Sequence, residues 1–198
     1  MSADPWNVNI HYDARLDAYV PTSATSVLDV GCGDGFLAAR LARRVPRVVA
    51  IDVDAPVLER AQARFPEAKV TWCHGDMMTY PFARESFDAV VSNATLHHFP
   101  NSKDALARMS ELVRPGGTLA VVGFVQMERR DWPWAVASWV ARGATIRVRG
   151  NWAHSAPVAW PPPETFRQLR QSVHEVLPGA RVSRQILGRH LIAWQAPA

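Results

Sequence analysis

Lysine is nearly absent from this chain, two of 198 residues against 20 arginines. Cysteine is equally rare. Cys32 and Cys73 show neither metal-ligand nor disulfide-framework spacing, which excludes a zinc module, a c-type haem site and a cystine-stapled scaffold. Both read as small, reduced core residues of a cytoplasmic chain. Long apolar runs are missing too; none approaches the roughly 18 residues that a membrane span requires. The opening "MSADPWNVNIHYDARLD" is polar and acidic, so it does not read as a secretory signal. Carboxylates thin out toward the end. Residues 1–125 carry 12 Lys+Arg against 14 Asp+Glu, whereas residues 126–198 carry 10 against 4. The basic excess therefore sits in the last third, as solvated surface or as a face for something acidic, a membrane surface included.

What is present is an ordinary globular balance, 48% hydrophobic and 20% charged, in a length that suits one domain over 1–198. Strand and helix patterns alternate. "SVLDVG" reads as a buried strand, and "GFLAARLARRV" has helical spacing with Phe36, Leu37, Leu41 and Val45 on one face. "RVVAIDVD" is a second strand. Asp54 then caps "APVLERAQARF", whose Pro56 falls in the first turn. "KVTWCHGD" and "FDAVVSNA" give two more strands. "SKDALARMSELVRPGG" predicts a helix stopped at Pro115-Gly116-Gly117, ahead of the strand "TLAVVGFV". Such alternation implies an α/β fold, a doubly wound parallel sheet that binds ligands beyond the carboxyl ends of its strands.

Three glycines and two aspartates crowd the turn "VLDVGCGDG" at 27–35. Glycines let the backbone approach a ligand closely, and the helix that follows offers free N–H groups to an anion. A dinucleotide would want this, but the spacing is G-x-G-x-G, and Asp29 and Asp34 would repel a pyrophosphate. A ligand carrying a carboxylate, an ammonium and a fixed positive centre resolves the conflict, and S-adenosyl-L-methionine is one. Asp52 ends the second strand, where an acid can accept both ribose hydroxyls. Asp76, in "HGDMM", can accept from an adenine amino group, with Met77 and Met78 as apolar walls.

Residues 27–125 resemble a class I S-adenosylmethionine-dependent methyltransferase, of the small-molecule group typified by quinone-biosynthesis enzymes. "VLDVGCGDG", "VVAIDVD", "GDMMTYPF", "FDAVVSNATLHHF" and "LVRPGGTLAVVGF" carry the resemblance, in the family's order and spacing. The tail from Glu164 to Gln195 resembles the family's last helix and final strand pair. The resemblance implies a Rossmann-like, seven-stranded, mostly parallel sheet, with an antiparallel C-terminal edge strand from a pair near 180–187 and 190–196. It implies S-adenosyl-L-methionine as cofactor and S-adenosyl-L-homocysteine as product. Asp29, Gly31 and Gly33 correspond to methionine-end contacts, Asp52 and Val53 to ribose and adenine contacts, and Asp76 and Met77 to the adenine edge. Ser92 lies where the fourth strand's backbone meets the ligand. The resemblance also implies a lid-like N-terminal segment over 1–24 and a substrate-cover insertion over 126–163.

Methyl transfer from a sulfonium disperses charge, so the protein mainly aligns the acceptor and excludes water. A hydroxyl acceptor also needs a base. His97 and His98, in "NATLHHF", are the first candidates, with His11 and Tyr12 on the N-terminal segment as further ones; all can equally be structural. They tilt the expectation toward O-methylation of a small molecule. No carboxylate cluster of the magnesium-dependent kind is present, so no metal is expected. Strand four lacks the Asn/Asp-Pro-Pro-aromatic motif of nucleic-acid amine methyltransferases, so nucleic acid is not the expected partner. Trp132, Trp134 and Trp139 either wall an acceptor pocket for an apolar or sugar-like group, with Arg142, Arg147 or Arg149 meeting an acid, or form an interfacial helix, or are core and dimer contacts. His154 and Trp160 lie in the same irregular stretch. Monomer and homodimer are both open. A nicotinamide-dependent oxidoreductase and a cofactor-binding protein without transfer activity are the rival readings.

Overall fold

The structure is a computed structural model that describes residues 6–152 and 161–198, the side chain of Arg130 excepted. His154 and Trp160 lie outside the described residues. The centre of the fold is β1 (Ser26–Val30), buried at every position, as a strand covered on both faces must be. β2 (Arg47–Asp52) and β3 (Val70–His74) pair parallel on one side of it, β4 (Phe87–Asn93) and β5 (Val113–Gly123) on the other. β7 (Arg189–Gln195) runs antiparallel to β5, and β6 (Arg181–Gln185) antiparallel to β7, in the order β3-β2-β1-β4-β5-β7-β6. The expected seven-stranded, mostly parallel sheet is present. Its reversed strand lies one place in from the edge, because the last hairpin lays β7 against β5 and leaves β6 outermost.

Alternate strand residues feed two cores. Leu28, Val30, Leu119 and Val121 face the layer of α4 (Ser102–Leu112) and α6 (Phe166–Val176), meeting Leu106, Met109, Leu169 and Val173. Val27, Val91, Ala120 and Val122 face α1 (Val8–Asp17) and α2 (Phe36–Leu41). Burying each such aliphatic side chain contributes about 1.5–3 kcal/mol. Asp29 shares the parity of Val27, which sends its carboxylate into the α1/α2 layer. Strand order reverses between β1 and β4, and their carboxyl ends open the crevice where such sheets bind ligands.

Two element ends differ from the pattern. α4 stops at Leu112, not at the Pro-Gly-Gly, because Val113 is already extended and pairs with Phe87, and Pro115 disfavours helix at Arg114. α2 covers only Phe36–Leu41; Leu37, Leu41 and Val45 are buried as expected, but Phe36 turns toward the crevice. α3 (Ala55–Arg64) is capped as read: Asp54 accepts from the Val57 N–H at 3.1 Å, with Pro56 in the first turn.

Candidate active site

The glycine turn is locked by its neighbours. Gly31 and Gly33 have φ of +68° and +51°, a region that side chains rarely adopt. A Cβ on Gly31 would fall 2.2 Å from Thr95 Cγ2, whereas one on Gly33 meets nothing within 4 Å. The Gly33 N–H donates to Asp52 Oδ2 at 2.8 Å, and Asp52 Oδ1 accepts from the Asp54 N–H at 3.0 Å. Asp52 thus ties the first turn to the end of β2. Above the turn lies a cavity of about 400 Å³. Asp29, Gly31, Gly33, Asp52, Val53, Asp76 and Met77 all line it. Val53 is exposed at the rim rather than buried in the core, and Met77 is buried. Asp76 Oδ1 accepts from the Met78 N–H at 2.9 Å, which orients that carboxylate on the rim.

The deep end of the cavity is acidic. Asp29 is fully buried, and its Oδ2 has no hydrogen-bond partner. Burial pushes its pKa far up, Asp13 and Asp52 push it further, and the Ala38 N–H opposes them. Asp13, on α1, also lines the cavity. Its Oδ1 accepts from Asn93 Nδ2 at 2.8 Å, and burial raises its pKa to about 7 against the pull of Asn93 and Arg40. Asn93 Nδ2 also donates to the Asn9 carbonyl at 2.8 Å, and Asn9 Oδ1 accepts from Arg189 Nη2 at 2.6 Å. The Arg189 guanidinium lies 3.5 Å from the centroid of Phe124, a cavity residue, and burial lowers its pKa to about 9. A buried carboxyl oxygen without a partner is costly, which marks Asp29 as a candidate contact for a ligand.

His97 and His98 occupy a short 3-10 turn after β4, line the cavity and stand 4.2 Å apart between ring centroids. His97 is buried, and its Nδ1 has no partner. Burial, then His98 and Arg189, lowers its pKa to about 4. Burial also lowers that of His98, with Asp52 opposing.

Other expected site residues lie elsewhere. α1 turns Asn9, Ile10 and Asp13 toward the cavity, so helical spacing sends His11 to solvent and Tyr12 into the core. The Tyr12 hydroxyl donates to the Ile186 carbonyl. Ser92 is buried within the sheet, where its Oγ donates to the Val30 carbonyl at 2.9 Å; it does not line the cavity. Neither do Trp132, Trp134, Trp139, Arg142, Arg147 or Arg149. Trp152 does, its ring edge-on to Phe36 and its backbone N–H donating to the Trp6 carbonyl at 2.7 Å. Sequence reasoning missed Asn9, Asp13 and Asn93. Their one signal was the i, i+4 spacing of Asn9 and Asp13, which marks a shared face without saying what that face meets. Among the described residues, no group of three or more His, Cys, Asp or Glu side chains is placed to hold a metal ion.

Residues 28–121 match the family model described as "Methyltransferase domain". Over 193 residues the chain is 58% identical to an uncharacterized methyltransferase of Mycobacterium tuberculosis, with 98% of each chain covered. The chain belongs to the class I S-adenosylmethionine-dependent methyltransferases. A ubiquinone/menaquinone biosynthesis C-methyltransferase of Dinoroseobacter shibae is 36% identical over 121 residues, 58% of this chain and 48% of that one. The fold is shared with a SAM-dependent methyltransferase from Aquifex aeolicus, with a TM-score of 0.63 at 17% identity, covering 94% of this chain and 89% of that one. Membership removes the nicotinamide oxidoreductase reading. In this methyltransferase the two cavity glycines are expected to respond differently to alanine. Gly33→Ala should cost about 1–2 kcal/mol of stability and weaken S-adenosylhomocysteine binding, because its methyl group enters open cavity. Gly31→Ala, forced against Thr95, should destabilise more; denaturant melts with and without ligand check both.

Proposed function

We propose that this cytoplasmic methyltransferase takes its methyl group from S-adenosyl-L-methionine and delivers it to an oxygen of a small molecule, with Asp13 receiving the acceptor's proton. The observation that carries the reading is that the buried Asp29 carboxyl, whose Oδ2 has no partner, and Gly33, where a Cβ would meet nothing within 4 Å, line one cavity. These residues fit the cofactor. Asp29, Gly31 and Gly33 would hold its amino-acid end, Asp52 and Val53 its ribose, and Asp76 and Met77 its adenine, while Ser92 braces β1 from behind. Bound there, the cofactor supplies an electrophilic methyl group on a sulfonium and leaves as S-adenosyl-L-homocysteine.

The acceptor's side of the cavity is built by α1, the segment after β4, Phe124 just past β5, and Trp152. Ile10, Phe99, Phe124 and Trp152 offer apolar walls, which suits a compact, ring-like acceptor. A general base works best with a pKa near the operating pH. Asp13, near 7, meets that condition; His97, near 4, does not. The proton-accepting role expected of His97, His98, His11 and Tyr12 therefore passes to Asp13, and the two cavity histidines position the acceptor as neutral rings. Methyl-labelled cofactor offered to a panel of phenols, hydroxy acids and amines tests the reading. Methylation of hydroxyl acceptors, rising with pH toward 7, is expected; turnover confined to amines would contradict it.

A further inference from the structure

Among the described residues, α5 (Trp132–Arg149) is the one helix whose outer face is apolar from its first turn onward. Its inner side is set by Trp134, Ser138, Ala141 and Ile146; Ala141 and Ile146 meet the second core, and the Arg184 guanidinium lies 5.4 Å from the Trp134 centroid. Helical spacing then turns Trp132, Val136, Trp139, Val140 and Gly143 outward, flanked by Pro133, Ala137 and Ala144. No polar side chain interrupts that stripe. Trp132 is 72% exposed and Trp139 76%, and α5 holds five of the eight large apolar side chains exposed on the described residues. A concentration of this kind on one face marks an interaction surface rather than scattered exposure.

Charge identifies the occupant. α5 contains no Asp or Glu, while Arg142, Arg147 and Arg149 are exposed toward its C-terminal end. The nearest acid in the chain, Asp131, is buried and paired with Arg184. A second copy would bring arginines to an apolar seam with no carboxylate on either helix to receive them, and residues 126–198 as a whole are basic, 10 Lys+Arg against 4 Asp+Glu. An anionic lipid surface supplies what that arrangement lacks. Tryptophans seat at the headgroup boundary, and arginine stems lie along the apolar layer while their heads reach phosphates. Among the described residues no helix is long and apolar enough to cross a membrane, so the fitting mode is a helix lying on the surface.

We propose that the outer face of α5 docks this protein onto anionic phospholipid bilayers. The proposal does not depend on the chemistry of the cavity. Its test is co-sedimentation of the full chain with vesicles of phosphatidylcholine alone and of phosphatidylcholine mixed with phosphatidylglycerol. The protein is expected to pellet with the mixed vesicles only and to be released by high salt. Trp132→Ser with Trp139→Ser, and separately the Arg142, Arg147 and Arg149 to Gln triple variant, should each lower the bound fraction roughly tenfold. Both sets are exposed, so melting temperature and stabilisation by S-adenosylhomocysteine should stay at wild-type values. A wild-type protein that ignores mixed vesicles overturns the proposal, as does binding that neither variant weakens. A dimer in sedimentation velocity that the double Trp variant dissolves would assign the face to a second copy instead.

Discussion

Asp52→Ala is expected to weaken S-adenosylhomocysteine binding by about a hundredfold or more. Two effects combine. The substitution removes the carboxylate that accepts from Gly33 and Asp54, so both the glycine turn and the entry to α3 lose their tie to β2. It also removes the acceptor proposed for the ligand's ribose. Hydrogen bonds to charged groups are worth about 1.5–3 kcal/mol each, and about 1.4 kcal/mol is a tenfold change in affinity. Thermal melts give the readout. Ligand at a hundred times its dissociation constant stabilises the wild type by about 2.7 kcal/mol, which the alanine variant should lose. Asp52→Asn keeps an oxygen acceptor and should fall between them. Wild-type stabilisation in the alanine variant would remove Asp52 from the binding site.

Asp13→Asn carries the second large effect. With an acceptor found in the panel, kcat at neutral pH should drop by about two orders of magnitude while S-adenosylhomocysteine still binds. The wild-type rate should climb as pH rises toward 7, because Asp13 acts only when deprotonated, and the variant should lose that limb. Stability should move the other way. Asp13 titrates near 7 when folded against a reference value of 3.8, so between those values the native state holds a proton that the unfolded chain releases. Its contribution therefore declines as pH rises through the window. His97 and His190, lowered mainly by burial to about 4 and about 3, act in the opposite sense: native stability is lost as pH falls below 6.5. Both histidines remain in the variant and cancel in the difference. Asp13→Asn should thus melt several degrees higher than wild type at pH 8 and converge with it near pH 4. An unchanged kcat would return the proton-accepting role to the histidines.

These two residues show where the sequence was readable. Asp52 was legible because strand ends, glycine spacing and the acid 19 residues beyond Gly33 are local features of a parallel α/β unit. Asp13 was not, since the direction in which α1 turns Asn9 and Asp13 depends on packing Tyr12 and Leu16 into a distant core. The same reason left the role of the tryptophans open. Trp134 and Trp139 look alike in sequence, but the body of the protein takes Trp134's side of α5 and leaves Trp139 bare. α4 stops short of its expected end because strand pairing at Val113 begins before the Pro-Gly-Gly punctuation.

Asp29, buried and held toward its protonated form by burial and by Asp13 and Asp52, is proposed to receive the cationic end of the cofactor. Calorimetric titration of S-adenosylhomocysteine near pH 6.5, in buffers of different ionisation enthalpy, tests that role most directly. An ammonium settling beside Asp29 should draw its pKa down, so binding should release protons. Asp29→Asn should reduce that release. Tight binding with no exchange of protons would show that the ligand's charge does not meet this carboxyl and would contradict its place at the amino-acid end of the cofactor.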